Sequence, residues 1–395
     1  MTVDFQQYTP TKVVFGKDTE DRSGALVKEF GGKKVLVHYG LSSAKKSGLL
    51  GRVTASLQKE GISYVELGGV VPNPRLSLVH TGIELCKKEK VDFLLAVGGG
   101  SVIDSAKAIG YGLFHDGEVW DFYSKKREIK GCYPIGAVLT IAATGSEMSD
   151  SSVITNEEGN LKRGANSDYC RCKFAVLDPM LTYTLPQYQT MCGVTDIMMH
   201  TLERYFVKKS SMQLTDEIAC ALLRTVKANA YILKENPENY DARANIMWAS
   251  SLSHNGLTGA GNSSRGDWAL HQMEHEIGGL FDVAHAAGLA ALWNSWARYV
   301  YKDNPERFAL LGRNLFGLAP TGNPDADALA TIEAMHAFYK DINMPTSFAE
   351  LKIDPTPAQI EEMAIKCTFF GKRTIGDFKV LGRDDIMAIY TVAAK

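Results

Sequence analysis

The pattern of apolar residues changes near Pro186 in this chain of 395 residues. Before that point, short apolar runs alternate with amphipathic stretches; after it, the strand-like runs vanish and long amphipathic stretches follow one another. Strands that alternate with helices are typical of a parallel, doubly wound sheet, whereas apolar residues three and four apart indicate helices. We therefore expect an α/β domain over residues 1–185 and an all-helical domain over residues 186–395.

The periodicity of apolar residues, together with glycine and proline residues that end strands and helices, predicts the elements of each domain. In the first domain, we expect strands at 12–16, 33–39, 63–67, 91–97, 133–141 and 174–179, and helices at 18–30, 49–61, 76–90 and 102–112. In the second, we expect helices at 190–207, 213–234, 239–256, 266–278, 284–302, 304–316, 325–341 and 355–369.

Composition excludes several classes of protein. Apolar residues make up 45% and charged residues 22%, with a formal net charge of −2, so a polyanion-binding surface is not expected. No apolar run approaches the length of a membrane-spanning helix, and the first residues lack the basic and apolar regions of a signal peptide. Seven cysteines without a CxxC pair indicate reduced thiols. We expect a cytoplasmic protein that binds neither nucleic acid nor membrane.

An acidic residue and several histidines recur at helical spacing in the second domain. Asp196 and His200 lie one turn apart, as do His271 and His275, and His285 follows shortly after. Imidazole and carboxylate donors suit Fe²⁺, Zn²⁺ or Mn²⁺, and they argue against a Ca²⁺ cage or a thiolate zinc site. The spacing predicts a metal site and leaves one imidazole for chemistry.

Three glycines stand between a predicted strand and a predicted helix. Gly98, Gly99 and Gly100, followed by Ser101, would let backbone N–H groups approach an anion at the positive end of the helix. Phosphate is the expected ligand. The alternative is that the glycines serve only tight packing. Because the run is not GxGxxG, a standard Rossmann domain is disfavoured.

Several segments together resemble the iron-dependent (group III) alcohol dehydrogenases, and within them the NADPH-using, butanol-dehydrogenase-like branch. The likeness covers nearly the whole chain, and it rests on Val71–Pro74, Gly98–Lys107, Leu139–Met148, Ala175–Pro179, Asp196 with His200, Ala242–Ser251, and His271–His275 with His285. The resemblance implies a non-standard Rossmann-like α/β domain and a helical metal-binding domain in a dehydroquinate-synthase-like architecture. It also implies a homodimer.

The resemblance also implies roles for individual residues. It assigns a divalent metal, Fe²⁺ first and Zn²⁺ second, to Asp196, His200, His271 and His285, which makes His275 a non-ligand. It places a dinucleotide pyrophosphate on Gly99, Gly100 and Ser101. The rest of the cofactor groove is assigned to Asn73, Asp104, Thr140 and Thr144, with Lys162 near the nicotinamide end.

The end of the second predicted strand bears on the choice of cofactor. The resemblance implies an acidic residue there in members that prefer NAD, whereas this chain has Gly40, followed by Ser42, Ser43 and Lys45. Hydroxyl and ammonium groups bind a 2′-phosphate through strong charge-assisted hydrogen bonds. We therefore predict NADP(H) in preference to NAD(H).

Together these expectations predict an enzyme that reversibly reduces short- to medium-chain aldehydes to primary alcohols. His275 is expected to act as the catalytic proton relay or to support a metal ligand. Trp268 and Phe281 could form an apolar substrate wall. Two enzymatic alternatives on the same fold stay open: a glycerol-dehydrogenase-like polyol oxidoreductase and a dehydroquinate-synthase-like lyase. A regulatory metal-binding protein would need a broken ligand set, and none of the four positions is missing.

Overall fold

The structure, a computed structural model, describes residues 4–209 and 212–395. The chain separates into two compact units. The N-terminal unit is Tyr8–Leu185, and the helical unit is Pro186–Lys395 together with residues 4–7. Residues 4–7 thus pack with the helices and not with the sheet, since the Gln7 side-chain amide donates to the Asn255 carbonyl at 3.0 Å.

A parallel sheet forms the middle of the N-terminal unit. Within the described residues it has six strands in the order β1-β8-β5-β4-β2-β3. The strands of this sheet are β1 Lys12–Phe15, β2 Lys34–Tyr39, β3 Ser63–Leu67, β4 Phe93–Gly98, β5 Ile135–Leu139 and β8 Phe174–Leu177. All of its strand pairs are parallel, which confirms the fold class expected from the alternation of strands and helices.

The topology creates a switch point between β2 and β4. From β2 the chain continues to β3 on one side, and β4 then pairs on the other side of β2. Tyr39 is level with Val97, and Gly98 is level with Leu139, so the carboxyl ends of β2, β4 and β5 lie side by side. Ligands of open α/β sheets bind at such a point.

Helices connect and flank these strands. In the N-terminal unit they are α1 Ser23–Glu29, α2 Ser43–Lys46, α3 Leu49–Lys59, α4 Leu76–Glu89, α5 Gly100–Phe114 and α6 Trp120–Tyr123. The short helices α2 and α6 are not among the sequence predictions, because a single turn leaves too few residues to show a helical period. Helix α5 starts two residues earlier than predicted, so the third glycine is its first residue.

An antiparallel hairpin stands apart from the main sheet and is also absent from the predictions. It consists of β6 Ser151–Asn156 and β7 Leu161–Asn166. Strand β7 reads Leu-Lys-Arg-Gly-Ala-Asn, which carries little apolar alternation, although Lys162 and Arg163 are both buried. The strand could not be recognised because long cationic side chains bury their apolar stems while looking polar in the sequence.

The ammonium group of Lys107 holds the segment before this hairpin against α5. Lys107 is fully buried, and its Nζ donates to the carbonyls of Ser146, Ser149 and Ser151 at 2.7, 3.0 and 2.7 Å. Burial acts to lower the pKa of Lys107, but the neighbouring Cys170 and Cys172 thiols, and then Asp104 and Asp150, raise it above the ordinary value. The side chain is therefore a charged donor inside the unit.

The helical unit confirms the second part of the expected fold. Its helices are α7 Gln187–Tyr205, α8 Gln213–Glu235, α9 Tyr240–His254, α10 Ala269–Phe281, α11 His285–Val300, α12 Pro305–Leu311, α13 Pro324–Asp341, α14 Pro357–Cys367 and α15 Arg383–Ala393. Helix α15 is not among the predictions, and α12 runs into a π-helical turn, Gly312–Phe316.

Aromatic side chains pack beside the end of α7. Phe206 follows that helix directly, and its ring lies 4.3 Å from the Phe308 ring and 5.7 Å from the Trp296 ring. Trp293 and Trp296 on α11 are nearly fully buried. Large aromatic contacts of this kind contribute more than their buried area alone, so they fix α7 against α11. No helix in the described parts of the chain has the length and apolar character needed to cross a bilayer.

We expect Lys107→Met to destabilise the N-terminal unit by roughly 3 kcal/mol, because three buried carbonyls would lose a charged donor. Urea denaturation of the two proteins side by side measures the effect as a lower midpoint. Lys12→Met is the matched control, since Lys12 pairs with Glu29 at a site where its side chain is 44% exposed. That control should shift the midpoint little, and equal shifts in both variants would contradict the assignment.

Candidate active site

Three helices of the helical unit carry the predicted metal ligands. Helix α7 carries Asp196 and His200, α10 carries His271, and α11 begins at His285. Almost every residue of α7 from Thr190 to Tyr205 is buried, so its polar pair points into protein and not into water. Two polar side chains one turn apart on a buried helix need partners from neighbouring helices.

The nitrogen atoms of three histidines surround one carboxylate oxygen. Asp196 Oδ1 lies 3.4 Å from His200 Nδ1, 3.7 Å from His271 Nε2 and 3.7 Å from His285 Nε2. The donor atoms of Asp196, His200 and His271 all fall within 4.8 Å of one another. The structure thus brings together the four side chains that were predicted to share a metal.

Three of the four donor atoms are buried and lack hydrogen bonds. Among residues 4–209 and 212–395, Asp196 Oδ1, His200 Nδ1 and His271 Nε2 have no hydrogen-bond partner. A buried polar atom without a partner is costly, and a carboxylate facing imidazole lone pairs is more costly still. A divalent cation among these atoms would satisfy all of them, so the residues fit a metal of the Fe²⁺ or Zn²⁺ kind.

Two further carboxylates contact the opposite nitrogens of the ligand rings. Glu203 on α7 is hydrogen-bonded to His271 Nδ1, and Glu274 on α10 is hydrogen-bonded to His285 Nδ1. Both glutamates are fully buried. The sequence analysis missed them, although Glu203 lies three residues after His200 and Glu274 three residues after His271, on the faces that carry the ligands.

Two of the predicted ligands, His200 and His271, have pKa values that shift in opposite directions. Burial, and then the neighbouring His254 and His271, hold the pKa of His200 well below its usual range. Burial also acts to lower the pKa of His271, but Glu203 and Asp196 together raise it to about 9. A neutral His200 keeps the lone pair that metal binding requires.

Aromatic rings cover one side of this cluster. The His254 ring lies 4.1 Å from the His200 ring and stacks on Trp268 at 5.7 Å, while the Trp268 ring lies 5.4 Å from the His271 ring. The Arg204 guanidinium sits 4.5 Å above the Trp268 ring. Sequence reasoning missed His254, because a single histidine at the end of α9 has no partner at helical spacing. For Phe281, the described residues include no ring contact with a ligand histidine.

His275 lies beside one of the predicted ligands, His285. It follows His271 by one turn of α10, it is half-buried, and its ring centroid is 6.1 Å from that of His285. The ring of His275 thus lies next to one of the four predicted ligands, and its role as a non-ligand stays a prediction.

The glycine run lies at the carboxyl end of β4, next to the switch point. Gly98 ends the strand, Gly99 precedes α5, and Gly100 is its first residue. Helix α5 has 15 residues and no acidic residue in its first turn, so its positive end is not neutralised there. A side chain at Gly100 would overlap Thr144, so packing also requires glycine at that position.

Three other predicted cofactor residues, Thr140, Asn73 and Asp104, lie in the N-terminal unit. Thr140 follows β5, and its N–H donates to the Gly98 carbonyl at 3.1 Å, so it lies at the same sheet edge as the glycines. Asn73 is buried with a φ of 54°, a left-handed conformation that asparagine tolerates. Asp104 accepts from the Ser146 hydroxyl at 2.6 Å and from the Val153 N–H on β6 at 2.9 Å, so each of its carboxylate oxygens has a partner within this unit.

Other predicted residues lie on the hairpin and after β2. Lys162 is buried on β7, where it is level with Thr155. Gly40 follows β2 directly, and Ser42, Ser43 and Lys45 are exposed at or within α2. The Lys45 Nζ lies 5.0 Å from the centre of the Tyr39 ring.

Comparisons with known proteins agree with this architecture. Residues 10–179 match the iron-containing alcohol dehydrogenase family, and residues 190–394 match the C-terminal domain of the Fe-containing alcohol dehydrogenase family. A probable NADH-dependent butanol dehydrogenase 1 of Bacillus subtilis is 41% identical, with 98% of each chain covered. The NADPH-dependent aldehyde reductase YqhD of Escherichia coli is 34% identical, over 98% of this chain and 99% of its own.

A solved structure is similar over the whole chain. The NADH-dependent butanol dehydrogenase A of Thermotoga maritima superposes with a TM-score of 0.96 at 39% identity, covering 100% of this chain and 99% of that one. Both halves of the chain thus match the same family in sequence, and the whole chain matches in structure. The chain therefore belongs to the iron-containing alcohol dehydrogenase family, which implies alcohol dehydrogenase activity, a nicotinamide cofactor and iron.

Proposed function

We propose that this protein interconverts short- to medium-chain primary alcohols, such as butanol, and their aldehydes by transferring a hydride to or from NADP(H). One observation carries the proposal: three imidazole nitrogens lie within 3.7 Å of the buried oxygen Asp196 Oδ1. The names of the relatives, butanol dehydrogenase and aldehyde reductase, support substrates of this class.

Asp196, His200, His271 and His285 would hold the ion, with Fe²⁺ proposed first because it is the ion of the family and Zn²⁺ as a substitute that accepts the same donors. When bound, the ion supplies a Lewis acid for the carbonyl oxygen, and the nicotinamide supplies or accepts the hydride. The chain contributes one carboxylate and three neutral imidazoles, so a bound divalent ion would keep a net positive charge toward the substrate oxygen.

His275 would move the proton that accompanies hydride transfer. A ring nitrogen of His275 gives a proton to the substrate oxygen when the aldehyde is reduced and takes it back when the alcohol is oxidised. The half-buried position supports this role, because one side of the ring can face the ligands while the other exchanges protons with water. Imidazole is suited to the task near neutral pH.

Trp268 would exclude water from one side of the donors. Its indole ring lies 6.0 Å from the His200 ring and 5.4 Å from the His271 ring, and its N–H is engaged by the Arg265 carbonyl at 3.0 Å. With its only polar atom turned to the backbone, the indole presents an apolar face, which suits an alkyl chain better than a polyol.

The preference for NADP(H) rests on the residues after β2. Gly40 places no charge at the switch point, and the exposed side chains of Ser42, Ser43 and Lys45 offer hydroxyl and ammonium donors to a 2′-phosphate. The names of the relatives do not support this preference. The butanol dehydrogenases named NADH-dependent are 37–42% identical to this chain, whereas the aldehyde reductase named NADPH-dependent is 34% identical.

We also propose a cytoplasmic homodimer. All seven cysteines lie in the described residues and are free thiols, six of them buried, which fits a reducing compartment. The dimer comes from the family resemblance. Free alcohols and aldehydes are the partners of this protein under the proposal, and nucleic acid and membrane are not.

Metal-reconstituted protein should consume NADPH steadily when butanal is added, as followed by the absorbance of the reduced nicotinamide. Chelator-stripped protein should not, and activity should return when Fe²⁺ or Zn²⁺ is restored. The same assay with glycerol or another polyol and oxidised cofactor tests the polyol alternative. If reconstituted protein oxidises neither NADPH nor NADH with any short aldehyde, the proposed function is wrong.

We expect His275→Ala to retain its metal and to lose about 10²-fold or more in kcat for butanal reduction, because the proton relay is removed. Elemental analysis and steady-state kinetics on the same preparation measure both quantities. His336→Ala, which changes a half-buried histidine on α13, is the control and should keep full activity. Loss of metal from His275→Ala would place His275 in the coordination set.

We expect Gly40→Asp to lower the preference for NADPH over NADH by about tenfold or more, because the carboxylate repels a 2′-phosphate. The substitution fits, since Gly40 does not have a positive φ and an added Cβ would lie 3.6 Å from the Val70 carbonyl oxygen. Gly40→Asn has nearly the same size without the charge and should change the ratio of kcat/KM values much less. An unchanged ratio in Gly40→Asp would refute the account of selectivity.

A further inference from the structure

We propose that Glu203 and Glu274 are positioning residues of the metal site, each of which fixes the ring of a ligand histidine on the next helix. Glu203 on α7 holds His271 on α10, and Glu274 on α10 holds His285 at the start of α11. The inference rests on the proposed metal site and adds the groups that orient two of its ligands.

The Glu203 carboxylate is fixed from both sides. One oxygen contacts His271 Nδ1, and the other accepts from the backbone N–H groups of Leu270 at 2.8 Å and of His271 at 3.3 Å. The helix that carries His271 therefore also holds the carboxylate that orients its ring. Because Glu203 is fully buried, water cannot replace this contact.

The Glu274 carboxylate is fixed by packing. It is fully buried, and one of its oxygens contacts His285 Nδ1. Gly288, one turn after His285 on α11, gives it room, since a Cβ at Gly288 would lie 2.8 Å from Glu274 Cγ. A larger residue at Gly288 would push Glu274 away without changing any carboxylate or ligand.

Both contacts determine which ring nitrogen can bind a metal. A carboxylate at Nδ1 requires a proton on that nitrogen, which leaves the lone pair on Nε2. In both rings Nε2 is the atom directed at Asp196 Oδ1, at 3.7 Å. The two glutamates thus fix the tautomer and the direction of two of the three imidazoles and make them more basic donors. A merely structural role predicts a different result, in which their loss lowers stability but leaves metal affinity unchanged.

Glu203→Gln and Glu274→Gln test the inference through the Zn²⁺ dissociation constant of metal-free protein, measured by competition with a chromophoric chelator. Each variant should bind Zn²⁺ about 10- to 100-fold more weakly than the parent. Glutamine keeps one acceptor oxygen without the charge, so Glu203→Ala and Glu274→Ala should lose more affinity than the glutamine variants. Urea midpoints on the same metal-free preparations separate folding from binding.

Gly288→Ala and Asp267→Asn complete the set. Gly288→Ala should weaken Zn²⁺ binding by displacing Glu274. Asp267 is the matched control: it is buried beside the site, but its oxygens accept from the backbone N–H groups of Ala269, Asp377 and Phe378 and not from a ligand ring. Asp267→Asn should leave the Zn²⁺ dissociation constant within about threefold of the parent, even if the urea midpoint falls.

The outcomes distinguish this inference from the metal site itself. A parent protein that binds no Zn²⁺ would overturn the metal site and the inference together. A parent that binds Zn²⁺ with glutamine and alanine variants that bind equally well would leave the metal site standing and overturn the positioning roles. Equal weakening in Asp267→Asn would also overturn them, since any buried carboxylate near the site would then have the same effect.

Discussion

The oxygen Asp196 Oδ1 is the constraint on which the helical unit depends. It is buried, it makes no hydrogen bond within the described residues, and three imidazole nitrogens approach it to within 3.7 Å. In the neutral forms that bind a metal, the lone pairs of these rings and the carboxylate charge are directed at one point in the protein interior and repel each other at low dielectric. A cation resolves this repulsion, whereas a neutral ligand would not.

Around that oxygen, the orientation of a ligand on one helix depends on a carboxylate from another helix. Helix α7 supplies Asp196 and His200 and orients His271, while α10 supplies His271 and orients His285. Arg307 fixes the far end of α7, because it donates to the Tyr205 carbonyl at 2.8 Å and pairs with Asp216. The donor geometry is therefore set by packing across three helices, which is the precondition for a preorganised site.

Sequence reasoning recovered what is local and missed what arises from tertiary contacts. The spacing of Asp196 and His200 predicted a shared helix face, and the alternation before Pro186 predicted the parallel sheet. The position of β8 between β1 and β5 has no local signal, because strand order depends on how the crossovers pack. Glu203 was missed for a similar reason: its partner, His271, lies on another helix. Metal binding by these residues stays a prediction, as do the roles given to the cofactor residues.

The glycine run shows why one sequence feature can have two physical causes. Gly100 must lack a side chain because Thr144 packs against it, and Gly98 likewise has Val102 in the place of a Cβ, so packing alone would require these glycines. The feature that favours a phosphate is instead helix α5. Its aligned peptide dipoles have their positive end at the switch point of the sheet, and its first turn has no acidic residue. Close packing is enough to explain the glycines. The positive end of α5, which no acidic side chain neutralises, is the separate feature that favours an anion.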